Sequence, residues 1–336
     1  MIRSNLLFDW QPFGARLAFS WRDQYGTEGP DTIVGDWSKA PAFRSPADIG
    51  GLNIYAGGDH DIVYAGFGDD KVWGGWGNDK LYGEGGVDTL YGEDGGDMLN
   101  GGLGADVMSG GRDNDVYFVD NVGDKVIEGL GEGWDTVQSS LYSYQLTANV
   151  ETLYLFGAAV EGHGNADRNI ISGNSGNNYL SGHDGHDELH GSFGEDTIDG
   201  GIGNDVIVGG GDRDVLYGGS GDDTFRFGTQ DTGSHAGTSD VILDFTRPTA
   251  FGMESDQIDL THIDANVTAR GHQNFVFVGE LAGGVTFTSP GQVGFRRDAF
   301  TLDFHIELNT DFDTQAEAVI TVSFTGQEDP NANWFL

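Results

Sequence analysis

Between Ala56 and Phe118 one apolar position returns every nine residues, and an acid stands two places before it. In Gly74–Tyr82 (GGWGNDKLY) the pair is Asp79 and Leu81, and in Gly83–Tyr91 (GEGGVDTLY) it is Asp88 and Leu90. Gly92–Asn100, Gly101–Ser109 and Gly110–Phe118 continue the frame, and Ala56–Tyr64 and Ala65–Trp73 carry it backwards. Small turn formers fill positions one, two and four, an acid fills six, and an apolar side chain fills eight. Glycines permit positive φ and close backbone approach, so six residues can bend tightly and turn their carbonyls inward. The other three form a short strand, Lys80 to Tyr82 or Thr89 to Tyr91, whose pleat sends position eight inside and its neighbours outside. Two nonapeptides then close one coil around a thin core, and coils stack as parallel strands about 4.8 Å apart.

Such stacking lines up acids. Asp79 falls between Asp61 and Asp97 on one edge, while Asp70, Asp88 and Asp106 line the other. Neighbouring carboxylates repel by roughly 1 kcal/mol per pair in water and about 4 kcal/mol at an effective dielectric of twenty. A cation between rungs reverses the sign. Oxygen donors on flexible turns suit a hard ion that takes six to eight oxygens, Ca²⁺ before Mg²⁺.

These nonapeptides, with GGWGNDKLY as the clearest, resemble the calcium-binding repeats of the RTX family. The resemblance implies an all-β fold, a right-handed parallel β-roll or β-helix in two calcium-binding blocks. It implies metal sites at Asp61, Asp70, Asp79, Asp88, Asp97, Asp106 and Asp115, and at Asp187, Asp196, Asp205, Asp214 and Asp223 in a second block. Carbonyls of the turns complete them, from Gly74, Trp76, Gly83, Gly85, Gly92, Gly101 and Leu103, then Gly191, Gly200, Ile202, Gly209 and Gly218. Pairing each acid with the one a coil later gives about eight Ca²⁺ ions under the ligand rules for calcium.

Composition narrows the function. The chain has 336 residues, enough for two or three modules, with 57 glycines and only 7 prolines. Its net charge of −38 excludes nucleic acid as a natural partner and argues against anionic membranes. Cysteine is absent, so metal remains as the staple. The opening MIRSNLLFDWQPFGARLAFSW has no apolar core long enough for a Sec signal, and no apolar run is long enough to cross a membrane.

Residues 1–25 are rich in aromatics and read as a cap on the open end of a solenoid. Gly26–Val34 (GTEGPDTIV) already fits the repeat, with Asp31 at six and Ile33 at eight. The frame then breaks, and 35–46 reads as an extruded loop whose Trp37, Lys39, Phe43 and Arg44 offer a contact site. Twelve extra residues restore the register at Ala47. The first roll spans 26–118, and 119–163 reads as a connector of wider, calcium-poor coils on the same axis. A second roll spans 164–226, beginning weakly with Asn169 and Asn178 at position six; an amide keeps a carbonyl oxygen but no charge.

From 227 to 336 glycine thins and strands follow one another, similar to the C-terminal cap of serralysin-type proteases. Asn309, Asp311 and Asp313 resemble a degenerate DxDxDG loop in which Thr314 stands where glycine belongs. The terminal NWFL resembles the uncleaved signals of type I secretion.

The string His186-Asp187-Glu188-Leu189-His190 suggests a zinc site, but a zinc protease needs HExxH on a helix. Here Asp187 and Leu189 are the repeat's positions six and eight. No G-x-S-x-G elbow or phosphate loop occurs, and the protease domain that precedes such repeats in serralysins is missing. The sequence reads as a secreted, non-enzymatic calcium-binding protein exported by type I secretion machinery, with a structural, adhesive or matrix-associated role. The alternative is a carbohydrate-active or carbohydrate-binding module related to the R-modules of mannuronan epimerases, using the outward rings Tyr55, Tyr64, Trp73, Tyr82 and Tyr91 against polysaccharide.

Overall fold

The computed structural model describes residues 23–34, 51–228, 239–246, 255–263, 275–281, 287–297, 303–310 and 318–323. Every regular element among them is a strand, and none is a helix long and apolar enough to cross a membrane. The fold is an all-β parallel solenoid of the β-roll type. One face is an unbroken sheet of 12 strands, from Thr32–Val34 to Gln257–His262. The other face is divided into a 6-stranded sheet ending at Lys125–Val126 and a 10-stranded sheet beginning at Ser143–Gln145.

The nine-residue pattern sets this winding. Lys71–Trp76 pairs with Thr89–Asp94, and Ile62–Phe67 with Lys80–Gly85, each residue facing one 18 places on. Strands in the strong repeats are longer than the expected three residues. Lys80–Gly85 runs through positions seven to nine into one to three of the next repeat. Position eight is fully buried at Val63, Val72, Leu81 and Leu90 and at Leu189, Ile198 and Ile207, while Ile33 in the first coil is partly buried. Those side chains form two columns, one from each sheet, and they are the core of the roll.

The turns show why glycine recurs. At Gly75 and Gly77, positions two and four, φ is 107° and 122°, a region that L side chains seldom enter. Glu84 and Glu93 occupy position two at φ 70° and 81°, so those turns carry strain of about 1–2 kcal/mol each. Position one has another reason. A Cβ on Gly74 would collide with Asp79 Oδ2 and lie 2.8 Å from the Gly92 carbonyl oxygen. We therefore expect opposite outcomes in urea unfolding of the calcium-loaded protein. Glu84→Gly should stabilise it by up to ~1 kcal/mol, the αL strain relieved less the glycine entropy, and Gly74→Ala should destabilise it by about 1–3 kcal/mol through overpacking.

The winding persists through the irregular regions. Thr32–Val34 faces Ile62, Val63 and Tyr64, an offset of 30 that equals one coil plus the twelve extra residues; the loop 35–46 itself lies outside the described residues. Asp23–Tyr25 already pairs with Asn53–Tyr55, while residues 1–22 of the expected cap lie outside them too. Across 119–163 one coil is wider and the next is narrower. Val116 faces Thr136, and Thr136 faces Thr152, so a coil of 20 residues is followed by one of 16. Two residues gained in one turn are given back in the next.

Beyond Gly228 the sheets simply lengthen. Asp240–Ile242 and Gln257–His262 add in parallel to the two faces, at Val215 and Thr224. Ala318–Val322 then joins Asp240–Ile242 in parallel, Phe304–Asn309 and Gln292–Arg297 follow in antiparallel pairing, and Val276–Glu280 adds in parallel at the edge. The C-terminal strands thus extend one sheet of the solenoid. Asn309 ends a strand and is buried; Asp311, Asp313, Thr314 and the terminal NWFL lie outside the described residues.

Candidate metal centre

The position-six aspartates form two continuous columns. On one edge the amide N–H of Asp61 donates to Asp79 Oδ1, that of Asp79 to Asp97 and that of Asp97 to Asp115, each at 2.7 Å. On the other, Asp70 donates to Asp88 and Asp88 to Asp106, also at 2.7 Å. In the second block the chains run Asn169, Asp187, Asp205, Asp223 and Asn178, Asp196, Asp214.

All these aspartates are almost wholly buried, and each Oδ1 is occupied in this ladder. The second oxygen is different. Oδ2 of Asp61, Asp70, Asp79, Asp88, Asp97, Asp106, Asp115, Asp187, Asp196, Asp205 and Asp223 is buried with no hydrogen-bond partner. An orphaned carboxylate oxygen costs about 1–3 kcal/mol or more, and a protein rarely repeats that cost without a ligand to offset it.

Carbonyls meet these oxygens at the position-one glycines. Asp79 Oδ2 and the Gly92 carbonyl both border the space that a Cβ on Gly74 would take, Asp88 Oδ2 and the Gly101 carbonyl that at Gly83, and Asp97 Oδ2 and the Gly110 carbonyl that at Gly92. In the second block the pairs are Asp187 with the Gly200 carbonyl, Asp196 with that of Gly209 at Gly191, and Asp205 with that of Gly218 at Gly200. Each rung therefore offers one carboxylate oxygen and one carbonyl oxygen, hard donors that fit Ca²⁺. At position three the carbonyls of Gly85, Leu103 and Ile202 accept N–H groups of Gly68, Gly86 and Gly185 in the preceding coil. Trp76, also at three, ends its strand with an exposed ring.

The asparagine rungs are complete without an ion. Asn169 accepts the Asn165 N–H at Oδ1 and gives its amide N–H to the Val150 carbonyl at 3.1 Å. Asn178 repeats the arrangement with Asn174 and Ala159. Their amide protons supply the positive end that the aspartate rungs lack.

Burial, then neighbouring carboxylates, raise the aspartates against the lowering pull of the ladder N–H groups. Asp88, Asp97 and Asp223 are pushed up to about 8. Asp115 and Asp187 reach about 7, and Asp61 about 6.

The pattern of the RTX calcium-binding nonapeptide repeat matches this chain in four copies, at residues 55–90, 82–117, 163–198 and 199–231. The chain carries RTX nonapeptide repeats. Its repeats are calcium-binding repeats, and they coincide with the two stretches in which the orphaned oxygens line up. Among solved structures, the AlgE6R3 subunit of the Azotobacter vinelandii mannuronan C5-epimerase is similar at 18% identity, over 51% of this chain and 77% of that one, with a TM-score of 0.24. No curated protein matches the chain.

The RTX columns run beyond the repeats that the sequence marks. Asp31 N–H donates to Asp61, Asp115 N–H to Asp135, and Asp135 N–H to Glu151. Asp106 N–H reaches Asp124, Asp214 reaches Asp240, and Asp223 reaches Asp256. Among these, Asp124 keeps the nine-residue spacing one repeat past Phe118, while Asp135, Asp240 and Asp256 fall outside the nonapeptide frame. A shorter signal marks them all, an acid, any residue, then a buried apolar one: Asp124 with Val126, Asp135 with Val137, Asp240 with Ile242, Asp256 with Ile258.

The HDELH string is no zinc site. Asp187 and Leu189 point into the roll, and Glu188–Phe193 is a strand that follows the Gly185 turn. His183 and His186 are exposed in that turn, and His186 Nδ1 accepts the Asn204 N–H.

Proposed function

We propose that this chain is a secreted RTX protein, exported unfolded by type I machinery and folded outside the cell by about eight Ca²⁺ ions bound under the ligand rules of calcium. The observation that carries this reading is the row of buried, unpartnered Oδ2 atoms facing backbone carbonyls along both edges. Where calcium is scarce the columns repel and the chain stays expanded and exportable. At millimolar external calcium the coils close. The twelve aspartates from Asp61 to Asp115 and Asp187 to Asp223 are its side-chain ligands, with the carbonyls of Gly92, Gly101, Gly200, Gly209 and Gly218 beside them. Its role is structural or adhesive, at a cell surface or within a polysaccharide matrix, and it is not an enzyme.

The aromatic tracks do not favour sugar binding through ring faces. Tyr55 and Trp73 stack with centroids 4.5 Å apart, Trp73 and Tyr91 at 5.6 Å, and Tyr64 and Tyr82 at 4.9 Å. Each ring covers its neighbour's face, the surface a pyranose would need. Co-expression with a type I exporter tests the proposal. The full chain should accumulate in calcium-containing medium and stay in cells that lack the exporter ATPase, while a glycan array with alginate should show no retention. Retention in cells despite a working exporter would overturn the export reading.

A further inference from the structure

The first roll ends in a site that its repeats do not contain. Asp115, Glu128 and Asp135 bring one carboxylate oxygen each within 4.8 Å of one another. Asp115 and Asp135 are fully buried, with Oδ1 taken by the ladder, and Oδ2 of both and Oε2 of Glu128 have no partner. Three carboxylates, each with an orphaned oxygen, thus converge where an ordinary rung shows one such oxygen beside a carbonyl.

The register explains how Glu128 arrives there. Gly92 lies one coil beyond Gly74, Gly110 one coil beyond Gly92, and the next residue in that series is Glu128. At Gly74 and Gly92 the following glycine turns its carbonyl towards the aspartate. At Gly110 the neighbours are instead Asp115 Oδ2 and the Tyr117 hydroxyl. Tyr117 fills the apolar position eight, wholly buried, where its hydroxyl accepts the Gly110 N–H and donates to Glu128 Oε1. Asn149 holds the Glu128 carbonyl at 3.0 Å from across the next coil. A phenol in the core column thus aims an acid that replaces a glycine carbonyl.

We infer that Asp115, Glu128 and Asp135 form a separate Ca²⁺ site that closes the first roll and fastens residues 127–135 of the connector to it. Three carboxylates give it a formal charge of −3, against one shared acid per face of a rung, and oxygen donors alone select a hard divalent ion. The segment it fastens contains Gly129, Gly131, Gly133 and the exposed Leu130, and has little core of its own. Binding here therefore orders the connector as well as the last repeat. The assignment does not depend on the rungs being occupied.

Native mass spectrometry of the calcium-loaded full chain counts the ions. Glu128→Gln and Asp135→Asn should each hold one ion fewer than the parent, and Glu132→Gln, at an exposed acid nearby, should hold the parent number. Chymotrypsin should cut after Leu130 in Glu128→Gln at least about tenfold faster than in the parent, as expected for loss of a metal-site group. If Glu128→Gln fails to fold, Asp135→Asn decides. A variant that folds and keeps the full ion count overturns the site. A parent holding a single ion that Glu128→Gln and Asp135→Asn lose would instead count against the rungs and leave this site standing, and a parent holding none would overturn both.

Discussion

Stripped of calcium at pH 7.5, the protein should lose its β-structure and expand to a radius of gyration of about 65 Å, the unfolded value for this length. The expectation follows from a core only one side chain deep on each sheet. Each nonapeptide buries one apolar residue, such as Leu81 or Leu90, while nine residues lose their conformational freedom. The same nine residues bring an aspartate into the interior with one oxygen unsatisfied. Neither hydrophobic burial nor the backbone ladder offsets a column of charges spaced by single coils. Circular dichroism and small-angle scattering in calcium-free buffer and then in millimolar calcium read the change directly. A compact, β-rich chain without metal at this pH would show that the columns are tolerable unaided.

Acid should do part of what calcium does. Asp88, Asp97 and Asp223 titrate at about 8 in the folded chain, and Asp196 and Asp256 at about 7, against roughly 3.9 when unfolded. Their folded-state values are raised, so between about pH 4 and pH 8 the folded state holds more protons. Its stability is complete below about 4 and is lost as pH rises through 6 to 8. The metal-free chain should therefore gain compact β-structure near pH 4.5 and lose it towards pH 8. With calcium the dependence inverts, because the ion displaces those protons. The calcium midpoint should fall as pH rises, and calorimetry in buffers of different ionisation enthalpy should show proton release at pH 6.5. A metal-free chain more compact at pH 8 than at pH 4.5 would contradict the burial of these groups.

Much of the roll was legible because repetition turns one weak signal into many. Position eight predicts Val63 through Met108 as core, and position six predicts two acid columns; both lie where the period places them. The rest was hidden by insertions. Asp135, Asp240 and Asp256 continue the columns at offsets of 20, 26 and 33 residues, and a nine-residue frame passes over them. What the ladder requires is an acceptor for the preceding coil's N–H and, two residues on, a side chain for the core. Glycine is needed only where the turn is tight, so the acid and its apolar companion survive after the glycines are gone. Glu128 had no local mark at all. Its role comes from counting coils, and from a tyrosine standing where a leucine would be expected.

The two faces of the solenoid differ in one respect with mechanical consequences. Along one face, backbone bonding runs through all 12 strands, while the opposite face has a seam between Val126 and Ser143. Flexure that opens the seam breaks no ladder bonds, whereas flexure the other way must stretch an intact sheet. The rod is therefore compliant in one direction at one place, and under a pulling or shearing load it should yield there before either wing unravels.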